Sequence, residues 1–247
     1  TSWYAVNAMN TASRKPTGFG TSSSAIAAGG NVPPTVNKTE SWNGSVWTEV
    51  IDMTTRRWGA APAGTSTAGL IAGGGTPANT AATEEWNAGV SLGAWSTGGN
   101  LNTARKQAGG AASSNTVGLM FGGTSDPPIT SLTESYNGTT WAEVNNLNTT
   151  RKGPVGGSGT ETTALCFGGQ ESDTPNDVTG KTESWNGYTW TELNDMNDER
   201  RSITGCGTQT ASLAFGGLDG PVAPKATCEL WNGTNWTEVN DLNSDRF

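Results

Sequence analysis

The sequence contains no histidine. That removes the usual general base, the Ser-His-Asp and Cys-His nucleophile arrangements, and the commonest metal ligand. Cysteine is scarce too: Cys166, Cys206 and Cys228 are an odd set that fits neither a disulfide scaffold nor a CxxC metal pair, and they are read as buried structural residues. No apolar run approaches the roughly 18 residues of a membrane-spanning helix, so membrane insertion is not expected. No long window carries apolar residues at i, i+3, i+4 and i+7, so long amphipathic helices are not expected either. Cations are outnumbered, 14 Lys and Arg against 22 Asp and Glu, for a net charge of −8. Phosphate-backbone binding relies on clustered cations, so nucleic acid is not an expected partner.

What is present is turn-forming and aromatic: 35 glycines and 11 tryptophans in 247 residues. Gly and Asn punctuate short strands, and tryptophan supplies packing area, so an all-β fold is indicated. A chain of this length buries roughly 70 to 75% of its unfolded surface and needs no disulfide or metal to hold a core.

The composition is organised by an internal repeat. Diglycines fall at Gly29-Gly30, Gly73-Gly74, Gly122-Gly123, Gly168-Gly169 and Gly216-Gly217, each after a short apolar run. An aromatic follows (Trp42, Trp86, Tyr136, Trp185, Trp231), and then a second one (Trp47, Trp95, Trp141, Trp190, Trp236). Each unit of about 48 residues reads as four strands, a to d. Strands c and d are joined by Asn-Gly at Asn43, Asn137, Asn186 and Asn232, the pair that best tolerates the positive φ of a tight hairpin. The second copy has the longer connection Asn87 to Trp95. Small-residue inner strands repeated at this period point to radial closure into a β-propeller, with the tryptophans filling the space between neighbouring blades.

The pattern of apolar-Gly-Gly, aromatic-Asn-Gly, Trp and Arg resembles the kelch repeat, and the resemblance covers almost the whole chain. The wording "TESWNG…WTEVNDLN…R" is most similar to kelch-like proteins of marine bacteriophages, cyanophages among them. That likeness implies a virion- or fibre-associated protein found on the particle or outside the cell. Five blades are expected within a single domain, residues 1–247, with repeats near 16–56, 57–105, 106–151, 152–200 and 201–247. The alternatives are a fragment of a six- or seven-bladed ring or of a longer array. Residues 1–15 repeat the wording of strand d, so Trp3 to Val6 are expected to complete the last blade, leaving the C-terminal "NWTEVNDL" surplus.

Most acidic residues recur at fixed repeat positions: Glu40, Glu84, Glu134, Glu183 and Glu229 in strand c, with Glu49, Glu143, Glu192 and Glu238 in strand d. A catalytic pair is ordinarily unique, so these read as structural. The recurring Arg56, Arg105, Arg151, Arg200 and Arg246 are expected to pair with the strand-c glutamates between blades. The Asp-rich stretches Gln170 to Gly180 and Leu218 to Pro221 do not match the EF-hand spacing, and no metal or cofactor is assigned. Among unrepeated carboxylates, Asp126, Glu171, Asp173, Asp177 and Asp219 are the candidates for a two-carboxylate glycoside hydrolase; the expectation is that the protein is not an enzyme.

The strand order puts the b–c and d–a connections on one face of the disc. The b–c loops differ in every unit (residues 31–38, 75–82, 124–132, 170–181 and 218–226), as binding loops on a fixed scaffold do. Candidate contact residues on this face are Asp126, Gln170, Glu171, Asp173, Asn176, Asp177 and Asp219, with Asn146, Asn194 and Asn240 from the d–a connections. Such a polar, acidic surface suits sugar hydroxyls or a polar protein. The expected role is a structural or adhesive module contacting host-surface glycan or another virion protein, with a cellular interaction scaffold as the alternative.

Overall fold

The computed structural model describes residues 3–89, 93–153, 156–174, 176–221 and 223–245. These contain β-strands and no α-helix, grouped as five four-stranded antiparallel sheets. Strands a to d of blade 1 are Thr17–Thr21, Ser24–Ala28, Thr39–Trp42 and Trp47–Glu49, and those of blade 2 are Ala61–Thr65, Ala68–Ala72, Thr83–Asn87 and Ala94–Gly98. Blade 3 has Gly109–Ser114, Val117–Phe121, Thr133–Tyr136 and Trp141–Val144; blade 4 has Gly156–Gly159, Ala164–Phe167, Thr182–Trp185 and Trp190–Leu193. Blade 5 has Thr204–Thr208, Ala211–Phe215, Cys228–Trp231 and Trp236–Val239, and a small extra pair, Leu218–Asp219 with Ala223–Pro224, sits in its b–c loop. Each sheet runs a-b-c-d, and the a strands of successive blades lie side by side about the centre. The fold is a five-bladed β-propeller.

The repeat wording accounts for each local feature. At the c–d turns the Asn side chain caps its own hairpin: Asn137 Oδ1 accepts from the backbone N–H groups of Thr139 (3.0 Å) and Thr140 (2.9 Å), and Asn43, Asn186 and Asn232 do the same. In blade 2, whose connection is longer, Asn87 Oδ1 accepts from Gly89, and residues 90–92 lie outside the described residues. The diglycines turn the chain out of strand b and tie blades together. Gly122 and Gly123 have φ of 66° and 98°, a region closed to most side chains, and Gly123 N–H donates to the Arg151 carbonyl at 2.8 Å.

In blades 2 to 5 the strand-d tryptophans fill the interblade spaces as expected, whereas Trp47 of blade 1 is part-exposed and packs on Trp42 of its own blade. The Trp190 ring packs on Phe121 of the preceding blade at 4.9 Å and its indole N–H donates to Thr133 Oγ1 at 3.1 Å. Trp236 repeats this with Phe167 (4.9 Å) and Thr182 (2.9 Å), while Trp95 and Trp141 donate to Thr39 and Thr83. Each buried tryptophan contributes on the order of 2 to 3 kcal/mol of hydrophobic stabilisation and satisfies its one polar atom.

The Arg–Glu pairs are present and buried: Arg57–Glu84 at 2.6 Å, Arg105–Glu134 at 3.2 Å, Arg151–Glu183 at 2.6 Å and Arg200–Glu229 at 2.8 Å. The first of them corrects the sequence reading, because Arg57 rather than Arg56 occupies the position; the adjacent arginine left the register ambiguous. Arg246 lies outside the described residues. Each arginine comes from the segment entering a blade and each glutamate from strand c of that same blade, so the pair fastens the d–a connection to the blade it leads into. Before blade 1 the position is held by Ser13, which donates to the Gly29 carbonyl, and Glu40 is held by the backbone N–H groups of Asn10 (2.8 Å) and Thr11 (2.7 Å).

Two other expectations are corrected. Blade 5 takes Trp236–Val239 as its own strand d, paired Trp231 with Trp236 and Cys228 with Val239, so Trp3 to Val6 do not complete it and have no strand partner. Of the three cysteines, Cys166 and Cys228 are buried but Cys206 is exposed, because it lies on the inner strand of blade 5 where no further blade covers it.

Candidate functional site

The b–c and d–a connections share one face and are bonded to each other. In every repeat, one residue of the d–a segment pairs with the root of the b–c loop: Arg14 with Asn31, Trp58 with Gly75, Lys106 with Thr124, Lys152 with Gln170, and Arg201 with Leu218. The loop root then pairs with its own returning limb, Asn31 with Thr35, Gly75 with Asn79, Thr124 with Ile129, Gln170 with Val178, and Leu218 with Pro224. Each variable loop is therefore a fixed three-segment root carrying a tip of unlike sequence.

The innermost residues of these roots are mostly cationic, namely Arg14, Lys106, Lys152 and Arg201, with Trp58 in the second repeat. Lys15 projects among them. Its ammonium and that of Lys106 lie 5.3 and 5.2 Å from the centroid of the Trp58 ring, close enough for cation–π attraction. Burial pushes the Lys15 pKa down, and repulsion from Arg201, Arg14 and Lys106 lowers it further. Ammonium groups of two repeats over the Trp58 ring of a third, beside a cavity that Arg14 also lines, mark this as a convergence point of the ring. A cavity of about 660 Å³ opens here, lined in part by Ser13, Arg14, Lys15, Asn31, Trp58 and Asp245.

The outer part of the face is differently charged. Lys106 is paired with Asp126, Lys152 with Asp173, Lys181 with Glu171 at 3.1 Å, and Lys225 with Asp219 at 3.4 Å. Arg201 donates to the Gly220 and Pro221 carbonyls. Among the described residues, Arg14 and Lys15 have no carboxylate within ion-pair distance, and Arg14 is exposed. The centre of the face carries positive charge not neutralised by direct pairs, ringed by acid–base pairs at the tips.

The residues singled out in the sequence divide into two groups. Asp126, Glu171, Asp173 and Asp219 stand at the tips, each with a different lysine, and Asn176 and Asp177 share the exposed end of the fourth loop. The other four serve the scaffold. Gln170 is buried and donates to the Thr174 carbonyl at 2.8 Å, Asn146 Oδ1 accepts from Thr133 N–H at 3.0 Å, and Asn194 donates to Thr234 of the next blade's c–d turn at 2.9 Å. Asn240 accepts at its carbonyl from the Trp3 indole at 3.2 Å. Among the described residues no cluster of three or more Cys, Asp and Glu is arranged to hold a metal ion.

Arg14, Lys15 and Trp58 were not singled out in the sequence. The signal was there: the residue after the recurring arginine, or after Ser13 in the first repeat, is basic in every repeat but the second. It is masked because the arginine itself belongs to the repeat and draws the following cation into the same structural reading.

No protein-family model matches the chain, and no curated protein matches it. Among solved structures, that of YjhT superposes on 98% of this chain and 87% of its own, with a TM-score of 0.78 at 10% sequence identity. Likeness at that identity is a likeness of fold, and the fold it shares is the β-propeller.

Proposed function

We propose that the chain is a non-enzymatic, kelch-like binding module of a bacteriophage particle, carried on the virion or its fibres outside the host cell. It contacts host-surface glycan or another virion protein through the face that bears the variable loops. The observation that carries this reading is the arrangement of five unlike tips on five equivalent roots around one cationic mouth. A rigid frame with variation confined to loop tips is how recognition surfaces are built on repeated folds. Arg14 and Lys15, without direct acidic partners, favour acidic sugars over neutral ones, and the Trp58 ring offers a sugar an apolar face. The pairing of Asp126, Glu171, Asp173 and Asp219 with separate lysines supports a recognition role for the tips rather than a shared two-carboxylate reaction centre.

The test is a glycan array probed with the purified chain and with Arg14→Ala/Lys15→Ala. Binding confined to acidic glycans and lost in the double variant is the expected result. Retention by neutral glycans in both proteins would overturn the ligand class, and absence of any glycan signal together with capture of a virion protein would place the partner among proteins. The phage assignment is tested by the genes neighbouring this one, which are expected to encode virion components; regulatory neighbours in a cellular genome would favour the scaffold reading.

A further inference from the structure

Four interblade junctions follow one rule, and the space between blades 5 and 1 follows half of it. Residues 3–13 reproduce several contacts of the outer strand and exit segment of a blade standing in that space. Trp3 packs on Phe215 of blade 5 at 5.5 Å, as Trp190 packs on Phe121 and Trp236 on Phe167. The Trp3 indole N–H donates to the Asn240 carbonyl at 3.2 Å, whereas those of Trp190 and Trp236 donate to the strand-c hydroxyls of Thr133 and Thr182, a position that Cys228 holds in blade 5. Asn7 donates to the Ser45 carbonyl in the c–d turn of blade 1 at 2.8 Å, as Asn145 donates to Tyr188 at 2.7 Å and Asn194 to Thr234 at 2.9 Å. Asn10 N–H donates to Glu40 at 2.8 Å, as Asn102, Asn148 and Asn197 donate to the glutamates of the blades they lead into.

The inner half of that junction is bare. Strand a of blade 5 is exposed at Thr204, Cys206, Gly207 and Thr208, whereas in blade 2 the equivalent strand buries Ala61 and Ala63 against its neighbours. Leu213 and Phe215 are part-exposed where Leu165 and Phe167 are fully buried, and Gly18 and Gly20 of blade 1 face the same gap exposed.

We infer that this seam is a docking slot for strands a to c of one further repeat of the same wording, with Trp3 to Val6 as its waiting strand d. The incoming strand c would pair with Trp3 to Val6, and its strand a would cover Cys206 on one side and Gly18 on the other. The occupant is specified by the interface itself. Trp3, Asn7 and Asn10 already make the contacts that only an outer strand of this repeat makes elsewhere in the ring, and only a three-stranded unit of the same kind continues them inward. This inference rests on the fold and is independent of the ligand proposed above.

The experiment is to fuse a second copy of residues 153–185 after Phe247, and separately to add the same segment as a free peptide. Maleimide labelling of Cys206 and the thermal midpoint are then followed in a background carrying Cys166→Ala in the added copy. Slowing of Cys206 labelling by at least tenfold with a higher midpoint in the fusion is the expected result, with the peptide giving the same protection in trans. Trp3→Ala, which leaves the five blades intact, is expected to abolish protection by the peptide. Unchanged labelling in both formats overturns the inference. So does protection of Cys206 in the parent chain at raised concentration with a doubled sedimentation mass, which would give the slot to a second copy instead.

Discussion

Arg200 and Glu229 are joined at 2.8 Å with neither side chain more than 1% exposed, and the same guanidinium donates through Nη1 to the carbonyls of Gly216 (2.9 Å) and Thr227 (2.6 Å). One side chain therefore holds strand c, the diglycine corner and the end of the b–c loop of the blade it precedes. Breaking a buried pair from one side leaves the other charge without compensation and costs about 3 to 5 kcal/mol. Arg200→Met and Glu229→Gln are each expected to lower the unfolding free energy by that order, read as a lower urea midpoint. Arg105→Met is expected to cost less, because Arg105 pairs with Glu134 at the longer 3.2 Å and its Nε and Nη1 find no partner. Equilibrium unfolding of the three variants checks the order.

The diglycine corner makes a second prediction. A Cβ added at Gly122 would sit 2.8 Å from the Arg151 carbonyl oxygen on a backbone with φ of 66°. The left-handed conformation alone costs an alanine about 1 to 2 kcal/mol, and the contact with backbone adds to it. Gly122→Ala is expected to destabilise the chain by more than that, while Gly187→Ala at a c–d turn, whose nearest contact is 3.6 Å, is expected to cost the conformational part alone. Comparing their denaturation midpoints separates strain from crowding.

The thiols should report the exposure pattern directly. In the native chain a small maleimide is expected to label Cys206 alone, with Cys166 and Cys228 reacting only on unfolding. Mass spectrometry of the labelled chain gives the count; two or three labels without denaturant would contradict it.

Alkaline pH should unfold the protein for an identifiable reason. Burial pushes the Cys166 thiol from 9.0 to about 12, and burial, reinforced by the hydrogen bond to Glu85, pushes the Tyr136 hydroxyl from 10.0 to about 12. Both groups hold their protons more tightly folded than unfolded. Stability is therefore at its full value below pH 9 and falls as pH rises towards 12, the unfolded chain ionising first. Tyr136→Phe is expected to flatten the decline between pH 10 and 12, as read from urea midpoints across that range.

The propeller was legible in the sequence because its determinants are local and repeated. Asn137-Gly138 dictates a hairpin, Gly122-Gly123 dictates a corner, and five copies leave little room for another architecture. The face was less legible. Asn146 reads as a free loop amide, yet it caps strand c as Asp52, Asp195 and Asp241 do in their own repeats, and only alignment by spatial position reveals it. Arg14, Lys15 and Lys106 are scattered over 93 positions of an acidic chain, and nothing in the linear order says that the ring brings them to one point. Long-range convergence of this kind is a property of the circular arrangement of the blades.

The rooting of the loops carries a consequence for how this surface can change. Each tip is fastened to the segment entering its own blade, through Thr124 to Lys106 and Gln170 to Lys152, and these four residues belong to different blades in pairs. The loops are not all separate, since Asn79 of the second donates to the Thr124 carbonyl of the third at 3.1 Å, so substitutions in those two should couple while substitutions in tips that share no contact should add. Exchanging one tip should therefore leave the roots and the distant tips in place, with the second and third loops the pair expected to move together.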